Sequence, residues 1–334
     1  MGFRARKSIK IAPGVRLNVS KRGVGASIGA GGIRYTVHSS GRRTVSARTG
    51  IPGVYYQQSV GGSGSRSRTT AATHAEAMQR ITPPAPKKPG LLAPKGEKEL
   101  YKAIMADDVE AIKRVGVEQA DFRLAAYSIA GLKLMNSDPA AAEKLLELVL
   151  AHGGDPAQDK FISTYLLSEV NLPIAEGVTA QLVINRDAVG LALAELKQAS
   201  GDVAGAIDIV EQLEPTTYSA VSLAELYSLA GRWDDVVHLT NGIKNEDDAA
   251  ALLCVFRGRA FREQGFYEAA HESLKEALRS RSRDAAIRHL ALAERAQNYL
   301  AQNKKAMARK DLERILAEDS DYDGVREQLA QLSP

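Results

Sequence analysis

Four stretches in the second half of the chain share one design: LALAELKQASGDVAGAIDIV, SLAELYSLAGRWDDVVHLT, FRGRAFREQGFYEAAHESLKEAL and AERAQNYLAQNKKAMARKDLERIL. Each reads as an apolar-periodic helix, a turn and a second such helix. The turn residues Gly201, Gly231, Gly265 and Asn303 stand 30, 34 and 38 residues apart. A unit this short cannot bury its apolar face alone, so repeated units must stack and share one continuous core. Small residues at Ala194, Ala224, Gly258 and Ala296 are expected to face Ala206, Val236, Ala270 and Ala308 on the paired helix, where they let the backbones approach closely. A looser unit, AYSIAGLKLMNSDPAAAEKLLELVL, places Ala130 and Ala142 in the same relation, and residues 97–116 suit one more degenerate pair. DYDGVREQLAQLSP at the end suits the polar capping helix that such arrays need.

The units resemble the tetratricopeptide repeat (TPR), whose period is about 34 residues. In the third, Gly258, Phe261, Gly265, Tyr267, Ala270, Leu274, Ala277 and Leu278 fall where that family's pattern wants them. The resemblance implies an all-α, TPR-like helical solenoid over most of residues 97–334. It also implies a protein- or peptide-binding scaffold whose concave face is lined by the first helix of each pair. Carried onto this sequence, that face holds Glu195, Gln198, Glu225, Ser228, Arg259, Arg262, Glu263 and Gln297. The competing reading makes them simply solvated helix positions. The Lys and Asn set with which one subclass clamps a chaperone tail's carboxylate is not seen here.

The first part of the chain is different material. Residues 1–75 hold thirteen basic residues and no Asp or Glu, whereas the remainder holds 31 basic and 40 acidic residues, a split of +13 against −9. Such a division marks separate modules. Alternating runs at Ile9–Ile11, Val15–Val19, Ile33–Val37 and Arg43–Ser46, separated by Pro13-Gly14, Arg22-Gly23, Gly29 to Gly32 and Ser40-Gly41, predict an antiparallel β-meander of four to five strands over residues 1–58. MGFRARKSIKIAPG, then Leu17-Asn18-Val19-Ser20-Lys21 with Gly23, then Gly50, Pro52, Gly53 and Tyr55 or Tyr56, resemble a small bacterial and phage module known as a domain of unknown function, family 4236. A Thr-Gly that the family carries after its Pro-Gly is missing. The resemblance implies no activity.

A basic module attracts polyanions, whether nucleic acid, an anionic membrane surface, an acidic protein face or the chain's own acidic part. The residues that offer this charge are Arg4, Arg6, Lys7, Lys10, Arg16, Lys21, Arg22, Arg34, Arg42, Arg43 and Arg48. With Phe3, Tyr35, Tyr55 and Tyr56 for stacking, they suit a sequence-tolerant nucleic-acid contact as the alternative function.

Residues 59–95 run from GGSGSRSR through a short helical stretch at 71–80 to TPPAPKKPG, the composition of a linker that is flexible first and stiffer later. The helical region, residues 96–334, has one interruption: VNLPIAEGVTAQLVI alternates and suits a β-hairpin near 170–184. Asp107 is placed as the cap of a helix ending near Gly116, and Asp138-Pro139 and Asp155-Pro156 as N-caps followed by a proline. The expected fold class is therefore α+β.

Chemistry finds little support. In Gly23-Val24-Gly25-Ala26-Ser27-Ile28-Gly29 the third glycine falls one residue too late for a dinucleotide fingerprint, and a strand pattern follows it instead of a helix. No G-x-x-x-x-G-K-[ST], H-E-x-x-H or G-x-S-x-G occurs, and the six histidines are scattered. Cys254, the single cysteine, sits in the apolar run AALLCVF and reads as a buried, inert thiol in a reducing compartment. The opening residues lack a signal-peptide core, Arg6 breaks the myristoylation pattern, and no run approaches the ~20 apolar residues of a membrane span. The expectation is a cytoplasmic, non-enzymatic adaptor without metal or cofactor.

Overall fold

The computed structural model describes residues 88–332, apart from 167, 168 and 176. Before residue 88 it describes only the backbone of six extended segments: β1 (Lys7–Ala12), β2 (Val15–Ser20), β3 (Gly23–Ala30), β4 (Ile33–His38), β5 (Arg43–Arg48) and β6 (Tyr55–Ser59). The glycine-dense stretch is thus extended over β3 and adds a segment to the expected four to five. Val24, Ala26 and Ile28 alternate there with Gly25, Ser27 and Gly29, the two-residue period of a strand. The expected helix at 71–80, the Gly/Ser and Pro tracts around it and the side chains of the basic set lie outside the described residues.

The chain divides into two compact units, Met1–Val170 with Gln181–Arg186, and Asn171–Ala180 with Asp187–Pro334. The described helices of the first unit are α1 (Lys95–Met105), α2 (Val109–Glu118), α3 (Arg123–Leu134), α4 (Pro139–His152) and α5 (Lys160–Tyr165). Consecutive helices α1 to α4 pack pairwise. Leu100, Ile104, Ile112, Ala125, Ala126, Ile129, Phe161 and Ile184 share one core. Ala130 and Ala142 are both fully buried, as the loose repeat requires.

Asp108, not Asp107, caps α2, accepting from the Ala111 amide at 2.9 Å. Asp107 instead adopts φ +57° and closes the turn after α1. Short polar side chains tolerate this left-handed conformation, so of two adjacent aspartates one turns the chain and the other caps the helix. Asp138 caps α4 through the Ala141 amide at 3.1 Å. Asp155 accepts from Ala157 at 3.0 Å, but the turn it starts, Pro156–Gln158, is a single 3-10 turn.

Next along the chain come β7 (Val170–Ala175) and β8 (Val178–Leu182), paired as a two-stranded sheet. Two residues connect them, so the pair is antiparallel. Leu172, Ile174, Val178 and Ala180 are buried, alternating with more exposed neighbours. The helices that follow come in pairs: α6 (Arg186–Ser200) with α7 (Val203–Val210), α8 (Thr217–Leu229) with α9 (Trp233–Leu239), α10 (Asp248–Glu263) with α11 (Tyr267–Ala277), and α12 (Ala285–Ala301) with α13 (Lys305–Glu318). The terminal α14 (Val325–Gln331) packs on α13.

The packing is that of a TPR-like solenoid. α8 lies against α10, and α10 against α12, so these first helices form one layer; α9 lies against α10 and α11 against α12, so each of these second helices also touches the next unit. Ala194, Ala224, Ala296, Ala206, Val236, Ala270 and Ala308 are all buried at 0–1% exposure. Gly258 shows why these positions are small: a Cβ there would stand 2.6 Å from Leu274 Cγ, inside van der Waals contact. Each intra-pair turn uses a residue of positive φ, Gly201, Gly231, Gly265 and, in the last unit, Asn303 at +58°.

Candidate functional site

The layer of first helices is where the structure gathers polar side chains of opposite sign. Arg259 and Arg262 project from α10, and both reach Glu294 on α12. Arg259 donates from Nε at 2.8 Å and from Nη2 at 2.6 Å to Glu294 Oε1; Arg262 Nη1 donates to Oε2 at 2.6 Å. The Glu294 side chain is only 10% exposed, and the arginines 27% and 15%. Charge-assisted bonds of this kind are about twice as strong as neutral ones. Arg262 also donates to Glu263 at 2.7 Å, and Glu263 stands at the exposed edge of the group.

The other residues expected on this face are distributed along it. Gln297 on α12 donates to Gln328 on α14 at 2.9 Å. Glu195 and Gln198 on α6 and Glu225 on α8 are half-buried, and both glutamates already have interaction partners. Ser228 is buried at 9%, and its hydroxyl donates to the Ala224 carbonyl at 2.6 Å, back along its own helix. The structure therefore joins Arg259, Arg262 and Glu263 into one cluster through Glu294.

Glu294 and Gln328 are the members that the sequence reading missed. Glu294 occupies the repeat position held by Ala192, Ser222 and Phe256 in the preceding units, and all four are buried. A carboxylate at a position otherwise kept apolar or small, 35 residues after an arginine, was the available signal.

A carboxylate clamped by two guanidiniums accepts hydrogen bonds and fixes geometry. The phenols and thiol with clear shifts move away from neutrality. Burial and a 2.8 Å bond to Glu211 push Tyr227 up to about 12. Donation to the Glu97 carboxylate pushes Tyr165 up to about 12. Burial raises the Cys254 thiol, which is fully buried. Among the described residues no group of three or more His, Cys, Asp or Glu is placed to hold a metal ion. No described helix is long and apolar enough to cross a membrane.

Comparison with known families matches two separate stretches of the chain. Residues 3–57 match the family described as protein of unknown function, DUF4236. Residues 170–331 match the N-terminal domain of the ESX-1 secretion system protein EccA1 of type VII secretion. No curated protein matches the chain. Among solved structures, the N-terminal domain of the EccA1 ATPase of Mycobacterium tuberculosis is similar at 16% identity and a TM-score of 0.45, covering 65% of this chain and 91% of that one. A thermophilic TPR protein of Thermus thermophilus is similar at 17% identity and a TM-score of 0.38, covering 67% and 98%. A TPR protein of Parabacteroides merdae is similar at 11% identity and a TM-score of 0.41, covering 72% and 99%.

Proposed function

We propose that the protein is a non-enzymatic, cytoplasmic adaptor: its repeat array holds a protein or peptide partner on the layer of first helices, and its basic N-terminal module docks on an anionic surface. The observation that carries the first half is the fixed cluster of Arg259, Arg262, Glu263 and Glu294, which spans two adjacent first helices of a TPR-like array. Clamped guanidiniums hold their remaining N–H groups in set directions, so a partner that meets them spends little entropy on ordering side chains. Glu195, Gln198, Glu225, Ser228 and Gln297 extend the same surface, with Ser228 contributing backbone packing more than contact.

The second half rests on charge and on backbone pattern. Consecutive segments β1 to β6 pair antiparallel in chain order, for example Leu17 with Ala26 and Tyr35 with Val45. That pairing supports a β-meander module, and the +13 charge of residues 1–75 supports an anionic target. Arg4, Arg6, Lys7, Lys10, Arg16, Lys21, Arg22, Arg34, Arg42, Arg43 and Arg48 are the proposed contacts. Neither the helical fold nor the matched families favours nucleic acid over another polyanion.

A photo-crosslinking amino acid placed at Gln198 or Glu263 of the full chain tests the array. Adducts with one discrete partner from these positions, and none from Asp208 on the second helix α7, are the expected result. Equal labelling from all three positions would remove the assignment of the binding face. Titration of the full chain with anionic vesicles and with single-stranded DNA over a range of salt tests the basic module, and salt-insensitive binding or none would refute it.

A further inference from the structure

A different face of the same unit carries a second feature that the first-helix layer does not use. Between α11 and α13, with α12 beneath them, lies a groove of about 400 Å³. Arg279 and Arg281 follow the end of α11, Arg288 and Arg295 rise from α12, and Arg314 faces them from α13. Lys275 adds a sixth cation, and Leu278 and Leu292 supply apolar lining. This concentration runs against the local composition, because residues 76–334 hold nine more acidic than basic residues.

Four of the six cations are already matched. Lys275 pairs with Glu272 at 3.0 Å, Arg279 with Glu276 at 3.2 Å, Arg288 with Glu318 at 2.7 Å and Arg295 with Asp311 at 2.7 Å. The Arg295 contact is bidentate through Nε and Nη2, which fixes that guanidinium in place. Arg314 is different: its Nη1 stands 3.8 Å from Asp311, beyond hydrogen-bond reach, and its side chain is 53% exposed. Arg281 is exposed and has no ion-pair partner among the described residues. Six cations thus share four carboxylates: Arg281 is unpaired among the described residues, and Arg314 is only loosely paired to the Asp311 that Arg295 already holds.

We propose that this groove binds a linear acidic segment of a protein partner, with two carboxylates against Arg281 and Arg314 and an apolar side chain between them over Leu278. The α11 wall favours a peptide over a polyphosphate: there Glu272 and Glu276 neutralise Lys275 and Arg279, so a nucleic-acid strand with a charge at every nucleotide gains no attraction along it. A peptide can present its acids to Arg281 and Arg314 and neutral groups to that wall. The surplus of two positive charges calls for a ligand of about the same opposite charge.

The test uses the full chain and a fluorescein-labelled peptide, Gly-Glu-Leu-Glu-Gly, beside its Gly-Gln-Leu-Gln-Gly counterpart, with a dT15 oligonucleotide as competitor. Saturable binding of the Glu peptide is expected, weaker by about tenfold for the Gln peptide and for the variant carrying Arg281→Glu with Arg314→Glu. Both positions are exposed, so the variant should keep the wild-type helical circular dichroism; Arg281→Gln alone gives a milder check with a smaller loss. Glu263→Lys on the first-helix layer should bind the peptide as wild type does, which separates this groove from the partner face proposed above. No binding of the Glu peptide, equal binding of the Gln peptide, or full retention in the double charge reversal would overturn the proposal. Displacement by dT15 with the same arginine dependence would overturn it in favour of a phosphate site.

Discussion

Replacing Glu294 by Gln keeps the side-chain volume and removes one charge, leaving Arg259 and Arg262 side by side without their shared counterion. The wild-type carboxylate receives three hydrogen bonds of 2.6–2.8 Å from two guanidiniums. Hydrogen bonds to charged groups contribute about 1.5–3 kcal/mol each, and breaking a buried ion pair from one side costs about 3–5 kcal/mol. The amide oxygen keeps part of the bonding, and the arginines, 27% and 15% exposed, recover some hydration. A loss of about 2–4 kcal/mol follows. For a domain of this size each kcal/mol moves the melting temperature by about 2–4 °C, so the variant should melt roughly 4–16 °C lower. Thermal unfolding of the full chain measures the total, and amide hydrogen exchange locates it: in a one-dimensional array the weakening belongs at the α10–α12 interface. A double-mutant cycle with Arg259→Gln should return a coupling of about 1–3 kcal/mol. A melting point within about 1 °C of wild type, or protection lost uniformly over all helices, would show that the cluster does not join the two repeats.

Three further outcomes follow from local geometry. Gly258→Ala should destabilise by about 1–3 kcal/mol in thermal melts, because its new Cβ would meet Leu274 Cγ at 2.6 Å and the pair α10–α11 cannot open without strain. Asn303→Gly should be neutral or mildly stabilising while Gly265→Val is costly, since both positions have positive φ, +58° and +81°, and a β-branched residue tolerates it worst. The bonds from Arg288, and then from His289, hold the Glu318 carboxyl below its ordinary value. Its contribution is fully present above the unfolded value of ~4.3 and is lost as pH falls through the lower folded one, so melting curves of wild type and Glu318→Gln should differ at pH 7 and converge in acid.

Much of the second unit was written in its residue spacing. The close approach of paired helices showed as small residues at fixed offsets, the turns as Gly201, Gly231, Gly265 and Asn303, and β7–β8 as a change from helical to two-residue periodicity. These features are local, because each depends only on how one helix or strand divides its own faces. Asp107 and Asp108 mark where local reading loses resolution. Two neighbouring aspartates both satisfy the composition of a cap, and only the backbone path decides which one turns left-handed and which accepts from Ala111.

The candidate site was less legible because it is made between repeats. Period 3.6 tells which side of α10 carries Arg259 and Arg262, but not that the next first helix brings Glu294 within 2.6 Å of both. That depends on the rotation from one unit to the next, which arises from packing volumes summed over the whole interface. Ser228 shows the converse: a residue on the expected face by spacing is drawn into the core, its hydroxyl bonded to its own helix. Arg279 and Arg281 of LRSRSRD lie in a connection between units, where no periodicity applies, and the groove they line with Arg295 and Arg314 exists only once α11, α12 and α13 are stacked. In a repeat protein such contacts form at the inter-unit junctions, so a buried charge that breaks the template, as Glu294 does, marks where one unit is tied to the next.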